Sequence, residues 1–306
     1  MTRISSLAQQ QALVSQMLRA QTQVAESQRQ VLTGEKADRY EGITRDASAL
    51  ISAQAIDSRT QKFIELANQV SGQVILQDTS LNTMYETAKG LRDSILQALG
   101  NNTGRSITVD LESAFVSGKA VLNTRYAGKF LFAGTRTDLQ PFSAVDVADL
   151  ATVASPISSF FKNSEQKLQV RVEQNLVIEH SLLASDIGSN MMATVKRLAE
   201  YNAATPFGNV LTPADRVALQ AEVTNLDNAL SAIIQLQASN GFVGTRLESV
   251  TIRNQQLEVV NKQLIADLSE VDMAEAISRL NQDKLAVEAS YNLVRQISQL
   301  TLLNFL

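Results

Sequence analysis

Apolar residues recur at alternating steps of four and three over most of this chain. From Ala49 one stripe runs through Ala53, Ile56, Thr60, Phe63, Ala67, Val70, Val74, Gln77, Leu81, Met84, Ala88, Leu91, Ile95 and Ala98, with Thr60 and Gln77 as its polar interruptions. This spacing keeps one helical face apolar and predicts a coiled-coil helix of roughly 75–80 Å, at 1.5 Å per residue. Gly100-Asn101-Asn102-Thr103-Gly104 ends it, and a second helix is expected over 106–126. In the C-terminal half, Thr212 reads as an N-cap before Pro213 at the first helical position. Leu219, Val223, Leu226, Leu230 and Ile233 follow at the same spacing. The phase then changes near Asn240-Gly241, read as a stutter or kink, and the stripe resumes as Val243, Leu247, Val250, Asn254, Leu257, Asn261 and Leu264.

The two ends differ from this pattern. Ile4, Leu7, Gln11, Val14, Leu18, Gln21, Ala25, Gln28 and Leu32 are regularly spaced, but three of these positions carry Gln. Such a seam is too polar to hold an isolated helix, so disorder of the free ends is expected. At the C-terminus, Ile277, Leu280, Val287, Tyr291, Val294 and Ile297 form one stripe, and Leu285, Ala289, Leu293, Leu300 and Leu303 form another. A helix with two apolar faces needs more than one partner. Between the flanks, Lys129–Thr135 reads as a strand and turn. Leu168, Val170 and Val172 alternate with polar residues before Asn175-Leu176-Val177-Ile178, which predicts a hairpin. Helix returns at about 189–202. The expected fold is mainly α, a long bundle made by the N- and C-terminal segments with a small β-containing central insert.

Composition narrows the chemistry. The 306 residues carry 27 basic and 31 acidic side chains, no Cys and one His. The absence of thiols excludes cysteine nucleophiles, disulfides and sulfur metal ligands, and one histidine excludes a His-cluster metal site. A net charge of −4 without a basic run argues against nucleic acid as a partner. No stretch is apolar enough to span a membrane, and the first residues lack the apolar core of a secretory signal. Asp146, Asp149 and Asp186 have no calcium-loop spacing and read as loop or cap residues. His180, after an apolar strand, reads as a strand-end surface or edge residue rather than a base. Asn101-Asn102-Thr103 reads as a helix-ending turn before a glycosylation site, and Phe160-Phe161 as insert core. Gly241-Phe242-Val243-Gly244 lacks the lysine of a phosphate cradle. Neither a catalytic centre nor a cofactor is expected.

Several segments resemble the flagellin family of bacterial axial proteins, within it the branch that joins hook to filament. Tyr126-Ala127-Gly128-Lys129-Phe130-Leu131-Phe132-Ala133-Gly134-Thr135-Arg136-Thr137-Asp138, followed by Pro141-Phe142, is similar to that branch's G-[RK]-[YF]-L-F-[AS]-G-T-x-T-D…P-F segment. Val271–Asn281 resembles the family's D-x-A-E-A-x-x-x-L run, and Val243–Glu248 its V-G-[AT]-R-L stretch. The ending Leu300-Thr301-Leu302-Leu303-Asn304-Phe305-Leu306 resembles the junction branch rather than filament flagellins. Ala37-Asp38-Arg39-Tyr40-Glu41 departs from the family's Ser/Pro-Asp-Asp stretch.

The resemblance implies three parts: an inner coiled coil of 1–42 with 263–306, a middle bundle of 43–142 with 206–262, and an outer insert, 143–205. It implies a non-enzymatic junction subunit outside the cell, exported without a cleaved signal. Its implied partners are copies of itself, a hook-side hook-associated protein, flagellin and an export chaperone. Ile4, Leu7, Val14, Leu18, Ile277, Leu280, Val287, Tyr291, Val294 and Ile297 are then the expected assembly interface, and Leu285, Leu293, Leu300 and Leu303 the expected chaperone contact. A filament flagellin is the alternative. A cytoplasmic coiled-coil adaptor would account for the heptads but not for Phe130–Asp138.

Overall fold

Proline is confined to positions 141, 156, 206 and 213, so the flanking segments lack the residue that breaks helices most strongly. The computed structural model describes residues 2–43, 46–152 and 155–303, with the side chains of 11–40, 42, 46–152 and 155–296. Helices dominate: α1 (Thr2–Thr33), α2 (Ala47–Asn101), α3 (Ile107–Leu122), α4 (Val147–Thr152), α5 (Ala184–Ala204), α6 (Pro213–Ser269) and α7 (Met273–Leu303). Two antiparallel hairpins join them, β1 (Arg125–Tyr126) with β2 (Lys129–Phe130), and β3 (Gln169–Glu173) with β4 (Leu176–Glu179). The mainly α fold with a small β component is the one expected.

Two compact units are present where the sequence suggests three parts. One comprises residues 1–59 with 256–306, the other 60–255. Residues 143–205 do not form a core of their own. Leu150, Phe160, Met191 and Met192 are buried in the same cluster as Leu81, Phe115 and Leu219. The reason lies in α5, whose apolar face meets α3 so closely that glycines are needed on both sides. A Cβ at Gly118 would lie 2.5 Å from the Met192 methyl, and one at Gly188 2.7 Å from Leu122 Cδ1. Phe160 belongs to this shared core, 6.4 Å from the Phe142 ring.

Within the larger unit, the α2 stripe is buried at Thr60, Ala67, Val70, Val74, Gln77, Leu81, Met84, Ala88, Leu91, Ile95 and Ala98. α6 answers with Leu219, Leu226, Ala229, Ile233, Asn240, Leu247, Val250 and Asn254. No stutter interrupts it. Asn240 lies one heptad after Ile233 and one before Leu247, and its side chain is buried in the seam. A polar residue at a seam position looks like a phase change in the sequence, yet the helix is continuous. Arg197 on α5 makes a paired contact with Glu222 on α6, Nε to Oε1 and Nη2 to Oε2 each at 2.7 Å. Burial pushes the Glu222 carboxyl up, but these bonds, with Asn225 and Thr194, hold it below its usual range.

Thr212 caps α6 reciprocally with Asp215. The Asp215 amide donates to Thr212 Oγ1 at 3.1 Å and the Thr212 amide to Asp215 Oδ2 at 2.8 Å. Asp149 and Asp146 make a similar arrangement at α4, as expected of cap residues. Asn102, with φ 52°, ends α2.

The hairpins explain two sequence features. Ala127 and Gly128 both have positive φ, 48° and 81°, as a two-residue turn between β1 and β2 requires. Beyond β2 the chain leaves strand geometry, with Phe132 and Ala133 buried and their carbonyls accepting from Ala184 and Ser164, each at 2.9 Å. In β3–β4, Val170, Val172 and Ile178 face inward onto Ala67, Val70 and Val74 of α2 and Leu247 and Val250 of α6. His180 shares the parity of Ile178 and follows it inward. It is therefore buried, 7% exposed, and not at the surface as its strand-end position suggests.

In the smaller unit the buried stripe of α2 is Leu50 and Ala53, with Asp57 half-buried, while Ala49 and Ile56 are exposed. The stripe has turned by part of a residue, as a helix of 3.6 residues per turn does against a 3.5-residue repeat. For the same reason Leu257 and Leu264 on α6 are exposed and Glu258 and Ile265 take the half-buried positions. The chain termini, for which disorder is expected in the free protein, are helical over Thr2–Thr33 and Met273–Leu303.

Candidate assembly surface

α1 and α7 form the pair on which an assembly would depend. Gln21 Nε2 donates to the Tyr291 hydroxyl at 2.6 Å, and Ser27 Oγ donates to Asp283 Oδ2. The α7 partner number rises as the α1 number falls, so the helices are antiparallel. α1 ends at Gly34, whose φ of +73° suits a helix-terminating glycine. Its amide donates to Gln30 O at 2.9 Å. A short strap follows: the Lys36 amide donates to Ser269 O at 2.7 Å and the Val271 amide to Gly34 O at 2.9 Å. Arg29 Nη2 donates to Lys36 O at 3.0 Å and to Glu26 Oε1 at 2.6 Å. The Arg29 hydrogen bond holds the Glu26 carboxyl below its usual range against the opposing effect of burial. Asp272 caps α7, accepting from the amides of Ala274 at 2.8 Å and Glu275 at 3.2 Å.

The seam is not the one the sequence pattern singles out. On α1 the inward positions are Leu13, Met17, Ala20, Val24, Ser27 and Val31, of which Ala20 and Ser27 are buried and the rest half-buried. The expected interface residues Val14 and Leu18 sit one position along and face outward, Leu18 54% exposed, with Gln28 and Leu32 on the same side. On α7 the inward positions are Ala276, Leu280, Asp283, Val287, Ser290 and Val294. Leu280, Val287 and Val294 thus turn toward α1, whereas Ile277 and Tyr291 are exposed. Leu285 and Leu293, expected at a chaperone contact, lie on a further open side, 65% and 51% exposed. The side chains of Ile4, Leu7, Ile297, Leu300 and Leu303 lie outside the described residues. Ser27, Asp283 and Ser290 lie in the seam but outside the stripes read from the spacing, which on α1 fall one residue away. The four-three steps from Leu13 to Val31 were nonetheless present in the sequence.

Intramolecular pairing therefore uses one narrow stripe of each terminal helix. Exposed apolar side chains remain: Val14, Leu18 and Leu32 on α1, and Ile277, Leu285, Tyr291 and Leu293 on α7. Among the described residues there is no group of three or more His, Cys, Asp or Glu able to hold a metal, and no helix is long and apolar enough to cross a membrane. Pairs of open apolar faces suit packing against further helices.

Comparison with known proteins agrees with this geometry. Residues 223–306 match the sequence model of the bacterial flagellin C-terminal helical region. Among solved structures, the fold is similar to a protein described as a flagellar hook-associated protein from Vibrio parahaemolyticus. The TM-score is 0.62, with 14% identity over 75% of this chain and 100% of that one. It is also similar to FlgL of Bacillus cereus, at TM-score 0.54 and 15% identity over 71% of this chain and 99% of that one. FlgL of Xanthomonas campestris gives TM-score 0.57 and 14% identity over 69% and 98%. No curated protein matches the sequence. Residues 223–306 thus match the flagellin C-terminal helical region, and the fold of the chain is shared with solved flagellar hook-associated proteins.

Proposed function

We propose that this chain is a structural subunit of the bacterial flagellum at the junction of hook and filament, and that it acts by packing rather than by chemistry. The observation that carries this reading is the pair α1–α7. Each helix commits one stripe to the other and leaves another apolar stripe open. The faces at Val14 and Leu18 and at Ile277 and Tyr291 receive helices of neighbouring copies. Burial at roughly 25 cal/mol per Å² of apolar area supplies the free energy. Contacts of this kind are heterologous and generate a ring or helical tier. A hook-side hook-associated protein and flagellin are the neighbours at the two faces of that tier. Leu285, Leu293, Leu300 and Leu303 form the side that an export chaperone covers before assembly, on the way to the outside of the cell.

Imaging of intact flagella carrying a labelled form of this protein tests the reading. A thin band at the filament base is expected. Label along the whole shaft would support the second reading, a filament flagellin, with which the match of residues 223–306 is also compatible. Label confined to the cell body would overturn both.

A further inference from the structure

Gly241 stands in the middle of α6, exposed, without a positive φ and with nothing within 4 Å of where a Cβ would lie. Neither a close approach nor the backbone needs a glycine there, and glycine is, after proline, the residue least suited to a helix interior. It is also the one glycine in the chain that follows an asparagine, Asn240. Asn240 is 2% exposed, and its Nδ2 donates to the main-chain carbonyl of Val74 at 3.0 Å. A side-chain carboxamide closes most readily on the next main-chain nitrogen when that residue is glycine, since no Cβ shields the nitrogen and the backbone turns freely. The chain thus places its most reactive amide pair at a polar position of its long buried seam.

We propose that Asn240–Gly241 is a hydrolytic deamidation site, closed in the folded chain and open in the unfolded one, whose products cannot rebuild the α2–α6 seam. In the unfolded chain the Gly241 nitrogen gives up its proton and attacks Asn240 Cγ. A C–N bond forms, the side-chain nitrogen takes up a proton and leaves as ammonia, and a cyclic imide remains. Water then adds to either imide carbonyl and breaks one C–N bond, leaving an aspartate or an isoaspartyl link at 240. Folding blocks the first step. The Gly241 amide is engaged with the carbonyl four residues back, helical ψ keeps the side chain away from the following nitrogen, and the carboxamide is held against Val74 O.

Either product disrupts the seam. A carboxylate offers the Val74 carbonyl no donor and sets a charge against it in a site shut off from water. Residues 236–244 of α6 and 70–78 of α2 include no Lys, Arg or His to offset that charge, and Asp78 adds a further acid. The isoaspartyl link inserts an additional carbon into the main chain and shifts the hydrogen-bond ladder of α6 at its midpoint. A chain held unfolded therefore loses the capacity to fold with time, while a folded chain is preserved.

The test incubates the full-length protein at mildly alkaline pH, folded in one sample and in guanidinium chloride in another. Fragment masses then locate deamidation at each asparagine. After the denaturant is removed, circular dichroism reads the refolded fraction. Deamidation at Asn240 is expected to dominate in the unfolded sample and to stay at background in the folded one, with the refolded fraction falling in step with it. Gly241→Ala, for which the space is open, is expected to keep its refolding capacity through the same incubation. Asn240→Asp, which reproduces one product directly, is expected to melt well below the parent. Equal deamidation at 240 in the two samples would overturn the proposal, as would deamidated chains or an Asn240→Asp protein that melt like the parent. So would a Gly241→Ala protein that loses refolding at the parent's rate, which would locate the damage elsewhere. The readout does not depend on whether the protein is flagellar.

Discussion

Asn240 donates its side-chain amide to the main-chain carbonyl of Val74 at 3.0 Å, across the buried seam of α2 and α6. One turn further along α2, Gln77 is fully buried, and neither its carboxamide oxygen nor its nitrogen has a hydrogen-bond partner. Two polar residues in one seam therefore have opposite energetic signs. Gln77→Leu is expected to stabilise the larger unit by about 1–3 kcal/mol, the usual penalty of an unmet buried polar group. Asn240→Ala is expected to destabilise it by about 1–3 kcal/mol through the lost bond and the space left behind. Urea unfolding of the full chain measures both, and a destabilised Gln77→Leu protein would contradict the assignment.

Gly134 has φ +64°, and a Cβ there would lie 2.6 Å from the carbonyl oxygen of Gln166. Since Ser164 donates its amide to Ala133 O next to it, the backbone cannot move away without breaking that bond. Gly134→Ala is expected to cost about 2 kcal/mol or more, from the left-handed conformation and the clash together. A shift in melting temperature reports it. Gly128→Ala, where φ is +81° but nothing lies within 4 Å, carries only the first penalty and should cost less.

His180 is buried with Nδ1 lacking a partner, and burial lowers its pKa from the ordinary 6.5. In the unfolded chain it takes up a proton as pH falls through 6.5, while in the folded chain it does so only at lower pH. The unfolded state then binds more protons, so stability drops as pH falls from about 6.5 toward the folded pKa. His180→Gln should flatten the pH dependence of the melting temperature in that window. The nearby charges are Lys167, Glu179 and Asp186, with Lys167 Nζ 3.7 Å from a carboxylate oxygen of each acid. Since this is the chain's one histidine, a slope that persists in His180→Gln would exclude it as the source.

Ile277 and Leu280 lie on different faces of α7. Ile277 is 46% exposed, while Leu280 is half-buried toward α1. Ile277→Asp is expected to block incorporation into flagella while the α1–α7 pair stays protected from proteolysis. Leu280→Asp should open the pair as well, with cleavage appearing in 2–33 and 273–303. Normal incorporation of Ile277→Asp would remove that face from the assembly surface.

Legibility differed between the two units for a physical reason. In the larger unit, the stripe from Ala67 to Ala98 is buried almost position for position as the spacing predicts, because large apolar side chains leave one low-energy orientation. Asn240 was the exception, a seam residue disguised by its polarity. In the smaller unit, α1 offers two stripes one residue apart, and the one read from the sequence, through Val14 and Leu18 with Gln21 and Gln28, is not the one that packs, through Leu13, Met17, Ala20, Val24, Ser27 and Val31. Ser27 and Asp283, which meet in that seam, are polar and stand 256 positions apart in the chain. No local pattern relates them.

The amino-acid order by itself determined the helices, their near-absence of proline, the caps at Thr212 and Asp272, and the flagellin-like segments around Phe130 and Val271, since each depends on neighbours within a few residues. Tertiary structure alone decided which face of α1 turns inward, that His180 is buried, and that residues 143–205 share the core of α3 and α6. Those outcomes rest on contacts between segments far apart in the chain, which no pattern within a few residues records.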